Sequence, residues 1–228
     1  IIYLYQKIKV IFMTEAVKNT LENLKKNNME AYFCSSKDEA LELVKKLIKK
    51  GDTVSNGGSV TLAETGVMDL LKSGDYNYLD RARPGITQEE IEQVYRSTYS
   101  ADAYFASANA VTQSGYIYNV DGNSNRVSAI LYGPKSVILL VGTNKIVKTI
   151  DDAVERVKKI AAPNNARRLS LDTYCSHTDS CVSLNKNDNE ICDGCASTTR
   201  ICCNYVLSGY QRHKNRIKVI IIDGSYGY

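Results

Sequence analysis

The fold is indicated by Asp52-Thr-Val-Ser-Asn-Gly-Gly-Ser-Val-Thr-Leu-Ala-Glu-Thr-Gly66. This stretch reads as a short apolar strand, a glycine turn that carries hydroxyls, and the start of a helix that continues to about residue 72. In α/β proteins such a junction binds anions, because helix-start N–H groups and the positive end of the helix dipole point at the turn. Glycines also let the backbone approach a phosphate or carboxylate closely. The stretch therefore predicts a ligand site, but it specifies no reaction.

On both sides of this stretch, predicted strands alternate with predicted helices. The strands are expected at residues 29–34, 52–55, 76–80, 102–108, 116–120, 136–141 and 217–222. The helices are expected at residues 14–28, 36–51, 87–99 and 149–162, while residues 127–132 fit either a strand or a helix. Capping boxes open the helices at residues 36 and 87. The alternation predicts a Rossmann-like three-layer α/β sandwich with a mostly parallel sheet, plus a small Cys-rich loop segment.

Composition places the chain among ordinary globular proteins. Its 228 residues are 43% hydrophobic and 24% charged. We divide it into an N-terminal extension or extra strand (1–12), an α/β domain (13–170), a Cys-rich insertion (171–206) and a final strand that returns to the α/β domain (207–228). A net charge of +4 gives no argument for nucleic acid, and no segment is apolar and long enough to span a membrane. We expect a cytoplasmic protein, and a homo-oligomer remains open.

Four polar turns follow predicted strands, at residues 55–61, 109–115, 121–126 and 142–145. Ligands of parallel sheets bind outside the carboxyl ends of the strands, so these turns are expected to converge on one cleft. The candidate ligand-binding residues are Gly57, Gly58, Ser59, Thr61, Asn109, Thr112, Asn125, Arg126, Asn144 and Lys145. The glycine turn matches neither a dinucleotide fingerprint nor a Walker loop, so the sequence carries no nicotinamide or ATP motif.

Three charged side chains in or shortly after these turns have alternative interpretations. The fork of Arg126 would bind a carboxylate or phosphate bidentately, and Lys145 would hold the same anion as a point charge. Arg126 also fits a plain surface cation. Glu64 is a candidate general base or a carboxylate that orients a substrate hydroxyl. We favour the simpler interpretation of Glu64 as an exposed acid near the start of its helix, and we leave the catalytic residue and the question of enzymatic activity open.

Six of the seven cysteines lie between Cys175 and Cys203, which favours metal or redox chemistry over a disulfide framework. A Cys-x2-Cys pair can direct two thiolates at one tetrahedral centre, and two further thiolates complete it. The candidate metal ligands are Cys175, Cys181, Cys192, Cys195 and Cys202. Zinc would form a structural clip and an iron–sulfur cluster would transfer electrons. We favour zinc because the spacing lacks the ferredoxin patterns. Reduced, unliganded thiols are the third alternative.

Several motifs together resemble the LUD-domain proteins associated with lactate utilisation. They are the segment 57–61 with Glu64 and Gly66, the segment 109–112 with Gly115, the pair Asn125-Arg126, and the segment 142–147. The resemblance extends from about Thr14 to Asn204. One departure is the segment 182–191, which looks inserted between cysteines, so the cysteine at the second ligand position is left open.

This resemblance implies a fold like that of the sugar-phosphate isomerases and CoA transferases, whose members bind phosphorylated or CoA-linked ligands at a similar glycine-rich turn. It also implies a component of lactate or organic-acid oxidation that binds a small anionic metabolite or a phosphate-bearing cofactor and acts with an iron–sulfur redox protein. The alternative is a non-catalytic ligand-binding or regulatory module with a structural metal clip.

Overall fold

The computed structural model describes residues 13–186 and 190–228. Residues 1–12, expected to form an extension or extra strand, therefore lie outside the described residues. So does part of the segment 182–191. The strands are β1 Glu30–Cys34, β2 Thr53–Asn56, β3 Asn77–Tyr78, β4 Ala103–Ala106, β5 Ala110–Thr112, β6 Ile117–Asp121, β7 Ser136–Gly142, β8 Ile146–Val147, β9 Asn204–Ser208 and β10 Ile217–Ile222. The helices are α1 Glu15–Lys26, α2 Lys37–Leu47, α3 Val60–Glu64, α4 Val67–Leu71, α5 Gln88–Ser97, α6 Asn125–Leu131, α7 Ile150–Arg156, α8 Ala162–Arg168 and α9 Tyr174–Thr178.

The main sheet has six parallel strands in the order β1-β10-β7-β4-β2-β3. Strand β7 lies inside it, and alternate residues of β7 enter the two halves of the core. Val137, Leu139 and Val141 pack on the side of α1 and α6, whereas Ile138 and Leu140 pack on the side of α2, α3 and α4. Burial on both faces explains the continuous apolar run of this strand. The predicted α/β fold with a mostly parallel sheet is confirmed.

A second sheet of four strands, in the order β8-β5-β6-β9, was not predicted. The interpretation of residues 109–115 as a turn is wrong in part, because Ala110–Thr112 forms β5 and pairs with β6 and β8. Three residues are too few to show the alternation of a strand. Strand β9 pairs antiparallel with β6, so the Cys-rich segment is joined to this sheet at its end. The α7–α8 stretch, which contains a π-helical turn at Val157–Ala161, packs on the sheet.

Three helix predictions are refined by the structure. The helix expected to run to residue 72 is split into α3 and α4 at Gly66, which adopts φ +76°. Residues 127–132 fall largely within α6. Thr87 forms a full capping box, but Ser36 forms only half of one, because Glu39 Oε2 accepts from Ser35 instead. Within the described ranges, no helix combines the length and the apolar character needed to cross a membrane.

Gly115 yields a test of the packing between α1 and the second sheet. Its φ is +77°, and a Cβ there would lie 2.5 Å from the backbone carbon of Asn23. We expect Gly115→Ala to lower the free energy of unfolding by about 3 kcal/mol, since left-handed strain adds to a clash with helix backbone. Gly51 is the control, because its φ is +85° and a Cβ on it would meet no atom within 4 Å.

Gly51→Ala should cost only about 1 kcal/mol, the contribution of backbone strain alone. Urea denaturation of the two variants measures both values. If Gly115→Ala and Gly51→Ala lower the free energy of unfolding equally, Gly115 is not in close contact with α1.

Candidate functional site

A cavity of about 330 Å³ lies beyond the carboxyl ends of β2 and β4, between the main sheet, the second sheet and the α7–α8 stretch. The structure brings members of all four polar turns to its wall. The turn residues on the wall are Gly58, Ser59, Thr61, Asn109, Asp121, Asn123, Asn125, Arg126 and Lys145. We call this cavity the cleft.

Three of the candidate ligand-binding residues have structural contacts away from the cleft wall. Gly57 is buried, and a Cβ on it would lie 2.8 Å from both Arg126 Cγ and the Tyr104 hydroxyl. Thr112 accepts a hydrogen bond from the backbone N–H of Tyr116 at 3.0 Å, within the β5–β6 connection. Asn144 donates to the carbonyl of Gly227 at 3.1 Å. Gly57, Thr112 and Asn144 therefore lie next to the cleft without lining it.

All five N–H donors of Arg126 are directed at protein atoms. One terminal nitrogen donates to Ser107 O at 3.2 Å and to Asn119 Oδ1 at 2.5 Å. The other donates to Asn109 Oδ1 at 3.2 Å and to Val120 O at 2.8 Å. The Nε atom lies 3.5 Å from Asp121. A bidentate bond to a ligand would break this network, so Arg126 acts as part of the wall.

Asp121 has the one side-chain carboxylate among the described residues on the cleft wall. It is buried, and its oxygens accept hydrogen bonds from the backbone N–H groups of Asn123, Ser124 and Val127 at the start of α6. Together with Arg126, these donors occupy and neutralise the carboxylate. Asp121 is therefore poorly placed to act as a general base.

Lys145 is 3% exposed and lies on the cleft wall just after β7. Its Nζ donates to Thr61 Oγ1 at 2.8 Å and to Ser107 Oγ at 3.1 Å. Burial, assisted by the charges of Arg156 and Arg126 and opposed by Glu64, lowers the pKa of Lys145 to about 7. At neutral pH this amine is divided between its charged and neutral forms, unlike an ordinary lysine.

Glu64 holds the segment that covers one side of the cleft. Its Oε2 accepts from the backbone N–H of Gly227 at 2.6 Å, and Thr61 donates to the carbonyl of Tyr226 at 3.0 Å. The carboxylate of Glu64 thus anchors this segment instead of facing the cleft. The short helix that carries it, five residues long, also has a weaker dipole than the predicted long helix would have.

Sequence reasoning missed several residues of the cleft wall, among them Arg81, Tyr95, Ser107 and Arg168. The guanidinium of Arg81 lies 5.6 Å from the ring centre of Tyr95, and it donates to the Tyr95 hydroxyl at 3.0 Å. Because β3 is parallel to β2, the loop that carries Arg81 leaves the sheet at the same edge. Applying the carboxyl-end rule to this loop would have found Arg81. No comparable signal marks Arg168.

A family model described as the LUD domain matches residues 17–222. The chain belongs to the LUD domain family. The resemblance found in its motifs is confirmed. No curated protein matches the chain.

Two solved structures are similar to this LUD domain at low identity. A DUF162 family protein from Deinococcus radiodurans is 14% identical, the match covering 92% of this chain and 97% of that chain with a TM-score of 0.48. The eIF2B beta protein from Chaetomium thermophilum is 15% identical, the match covering 51% of this chain and 45% of that chain with a TM-score of 0.36.

Four cysteines of this LUD domain line a second, smaller cavity of about 30 Å³, which we call the Cys pocket: Cys175, Cys181, Cys195 and Cys202. Cys192 is exposed and lies outside the residues that line it. Ile201 and Cys202 belong to both the Cys pocket and the cleft.

Arg200 connects the segments that carry Cys195 and Cys202 by donating to the carbonyls of both residues. In the part of the chain that the structure describes, no three His, Cys, Asp or Glu side chains form a group that could hold a metal ion.

The lowered pKa of Lys145 predicts a pH-dependent stability difference between the wild type and Lys145→Met. Between pH about 7 and pH 10.5 the unfolded lysine binds a proton that the folded one has released. Stability rises with pH wherever the unfolded state binds more protons, so the wild type should gain relative to the variant across this window, by on the order of 1 kcal/mol per pH unit.

Urea denaturation at several pH values measures this difference. Lys148→Met, at an exposed position close in sequence, is the matched control for replacing lysine by methionine. A difference between the wild type and Lys145→Met that is independent of pH would contradict a lowered pKa at Lys145.

Proposed function

We propose that this LUD domain binds a small anionic metabolite in the cleft, with Arg81 and Arg168 as the principal anion-binding side chains. The observation that carries the proposal is the charge of the wall. Among the described side chains of the wall, the cations Arg81, Arg126, Lys145 and Arg168 accompany a single carboxylate, that of Asp121, which Arg126 and backbone N–H groups already neutralise. A ligand of negative charge complements the excess positive charge.

Arg81 is better suited to bind a ligand than Arg126. Its described polar contacts are to Tyr95, and no carboxylate in residues 13–186 or 190–228 forms an ion pair with it. The stacked ring fixes the plane of the guanidinium, which reduces the entropy lost when a carboxylate or phosphate binds. Lys145, only partly charged at neutral pH, contributes less as a point charge than its sequence position suggested.

The volume of the cleft favours a metabolite over a phosphate-bearing cofactor. About 330 Å³ is near the lower end of the range of roughly 300–1,000 Å³ that is typical of small-molecule sites. A cofactor of the size of CoA would extend well outside the wall. Phosphate groups on small ligands remain compatible with the same cations.

Within this function we place the protein in lactate or organic-acid utilisation, acting with an iron–sulfur redox protein. Membership of the LUD domain family supports this role.

The second candidate is a ligand-binding or regulatory module without chemistry. It is favoured by the hydrogen bonds of two carboxylates near the cleft, because Asp121 accepts from backbone N–H groups at the start of α6 and Glu64 accepts from that of Gly227. Lactate-dependent reduction of an acceptor, with and without an iron–sulfur partner, distinguishes the two.

Anion binding is tested by thermal denaturation in the presence of L-lactate, pyruvate or inorganic phosphate. We expect at least one of these ligands to raise the melting temperature. Arg81→Gln should weaken that binding by about tenfold or more, since a charge-assisted hydrogen bond contributes about 1.5–3 kcal/mol. Arg83→Gln is the matched control, because Arg83 lies in the same loop but pairs with Glu90 at 2.6 Å.

Equal loss of binding in Arg81→Gln and Arg83→Gln would remove Arg81 from the site. If none of the three ligands shifts the melting temperature of the wild type, the proposed function fails.

We further propose that the four thiols of the Cys pocket bind zinc. Thiolates are preferred zinc ligands, and the cavity of about 30 Å³ that the four thiols line has room for one ion. Because the thiols are not arranged as ligands beforehand, binding would draw the loops together, as happens when metal binding is coupled to folding.

Metal analysis and a visible absorption spectrum of the purified protein test this assignment. We expect colourless protein with one zinc ion per chain. Cys181→Ser should lose zinc, whereas Cys192→Ser and Cys203→Ser should retain it, since Cys192 and Cys203 are exposed. Brown protein would indicate an iron–sulfur cluster, and loss of metal in Cys192→Ser alone would place Cys192 at the second ligand position.

A further inference from the structure

We propose that Lys145 is a nucleophile that forms an imine with the carbonyl carbon of a small anionic ligand, of the 2-oxo acid class, bound in the cleft. This inference rests on the proposed function, because it requires an anion in the same cleft.

The first argument is the way in which the amine is held. Thr61 gives its own proton to the carbonyl of Tyr226, so its oxygen accepts from Lys145 Nζ at 2.8 Å. Ser107 Oγ lies 3.1 Å from the same nitrogen on another side. A neutral amine has two N–H groups and one lone pair. If both N–H groups bond to these hydroxyls, the lone pair is left for an electrophile.

The second argument is that Lys145, although only 3% exposed, borders the cleft beside a glycine. A Cβ on Gly227 would lie 3.3 Å from Lys145 Nζ and 2.6 Å from Thr61 Oγ1, so any side chain at position 227 would crowd the nitrogen. Gly227 itself lines the cleft, as does Lys145. The glycine therefore leaves space beside the nitrogen that any other residue at position 227 would fill.

The third argument is the surrounding charge. Arg126 on α6 and Arg156 on α7 disfavour the ammonium form, whereas Glu64 on α3 favours it and is directed at Gly227. Both arginines are fixed, Arg126 by its five contacts and Arg156 by donating to the carbonyls of Asn109 and Asn144. A buried lysine next to fixed cations is a recognised arrangement for an amine nucleophile that attacks carbonyl groups.

The class of ligand follows from what shares the cleft wall with this amine. The proposed ligand has a carbonyl carbon that reaches Lys145 and an anionic group that complements the positive charge of the wall, to which Arg81, Arg126 and Arg168 contribute. A 2-oxo acid carries a carbonyl and a carboxylate on adjacent carbons and fits a cavity of about 330 Å³. Its hydroxy-acid counterpart carries the same charge without an electrophilic carbon, so it would bind but would not react.

The chemical step needs no oxidant or reductant. The lone pair of Nζ forms a bond to the carbonyl carbon, and the carbonyl oxygen takes up a proton to give a carbinolamine. The carbon–oxygen bond then breaks, the oxygen leaves as water with the two protons that came from the amine, and a carbon–nitrogen double bond remains.

Reductive trapping tests the inference on the full chain. The protein is incubated with pyruvate and sodium borohydride, and the adduct is located by intact mass and peptide mapping. We expect one secondary-amine adduct, on the peptide that contains Lys145. Trapping should become faster as pH rises through about 7 and then level off, because the neutral amine is the nucleophile. Lys145→Arg should abolish the adduct, and exposed Lys148→Arg should retain it.

The peptide map of the wild type decides the matter even if Lys145→Arg does not fold. Adducts spread evenly over exposed lysines, or no adduct on the Lys145 peptide although pyruvate raises the melting temperature, would overturn the imine and leave the anion site standing. Absence of any melting shift with L-lactate, pyruvate and phosphate, together with no adduct, would overturn the proposed function as well.

Discussion

The guanidinium of Arg126 is the contact on which the geometry of the cleft depends. Its donors reach Ser107 after the main-sheet strand β4, and Asn119 and Val120 in the second sheet, so one side chain joins both sheets. Because the group is buried and charged, losing any acceptor would leave a donor without a partner at a cost of about 1–3 kcal/mol. Gly57 is required beside it, since a Cβ there would meet the side chain of Arg126. The glycine turn and the arginine are thus one structural unit.

This arrangement explains why the pKa of one amine in a basic cleft can be lowered to about 7. The charge of Arg126 is balanced by Asp121 and spread over carbonyl oxygens, so the protein tolerates it without a ligand. Lys145 has hydroxyl partners instead of carboxylates, and the burial that lowers its pKa has no compensating ion pair among the residues described. Two neighbouring cations therefore have different environments. Arg126 is fully paired within the wall, whereas Lys145 has a lowered pKa and only hydroxyl partners.

Sequence patterns predicted the layers of the fold and the place of the cleft better than they predicted the contacts within it. The buried run of β7 and the four turns at strand ends follow from periodicity and from the geometry of parallel sheets. Strand β5 escaped because Ala-Val-Thr is too short to show a period. The occupied donors of Arg126 could not be foreseen, because its acceptors Ser107 and Asn119 are brought to it by tertiary structure alone. For the same reason Cys181 and Cys192 were indistinguishable by spacing, although only Cys181 lines the Cys pocket.

The position of β10 has a consequence for the order in which the protein can form. In the main sheet β1 and β7 do not touch each other, and β10, which follows both in the sequence, pairs with each of them. Until β10 emerges from the ribosome, β1 lacks its only pairing partner in the described sheet, and the edge of β7 that β10 will cover stays open. Parallel pairing over such long sequence separation is slow, and open edges invite association with other chains. These two strand edges therefore stay open to association with other chains until β10 has been synthesised and pairs with both.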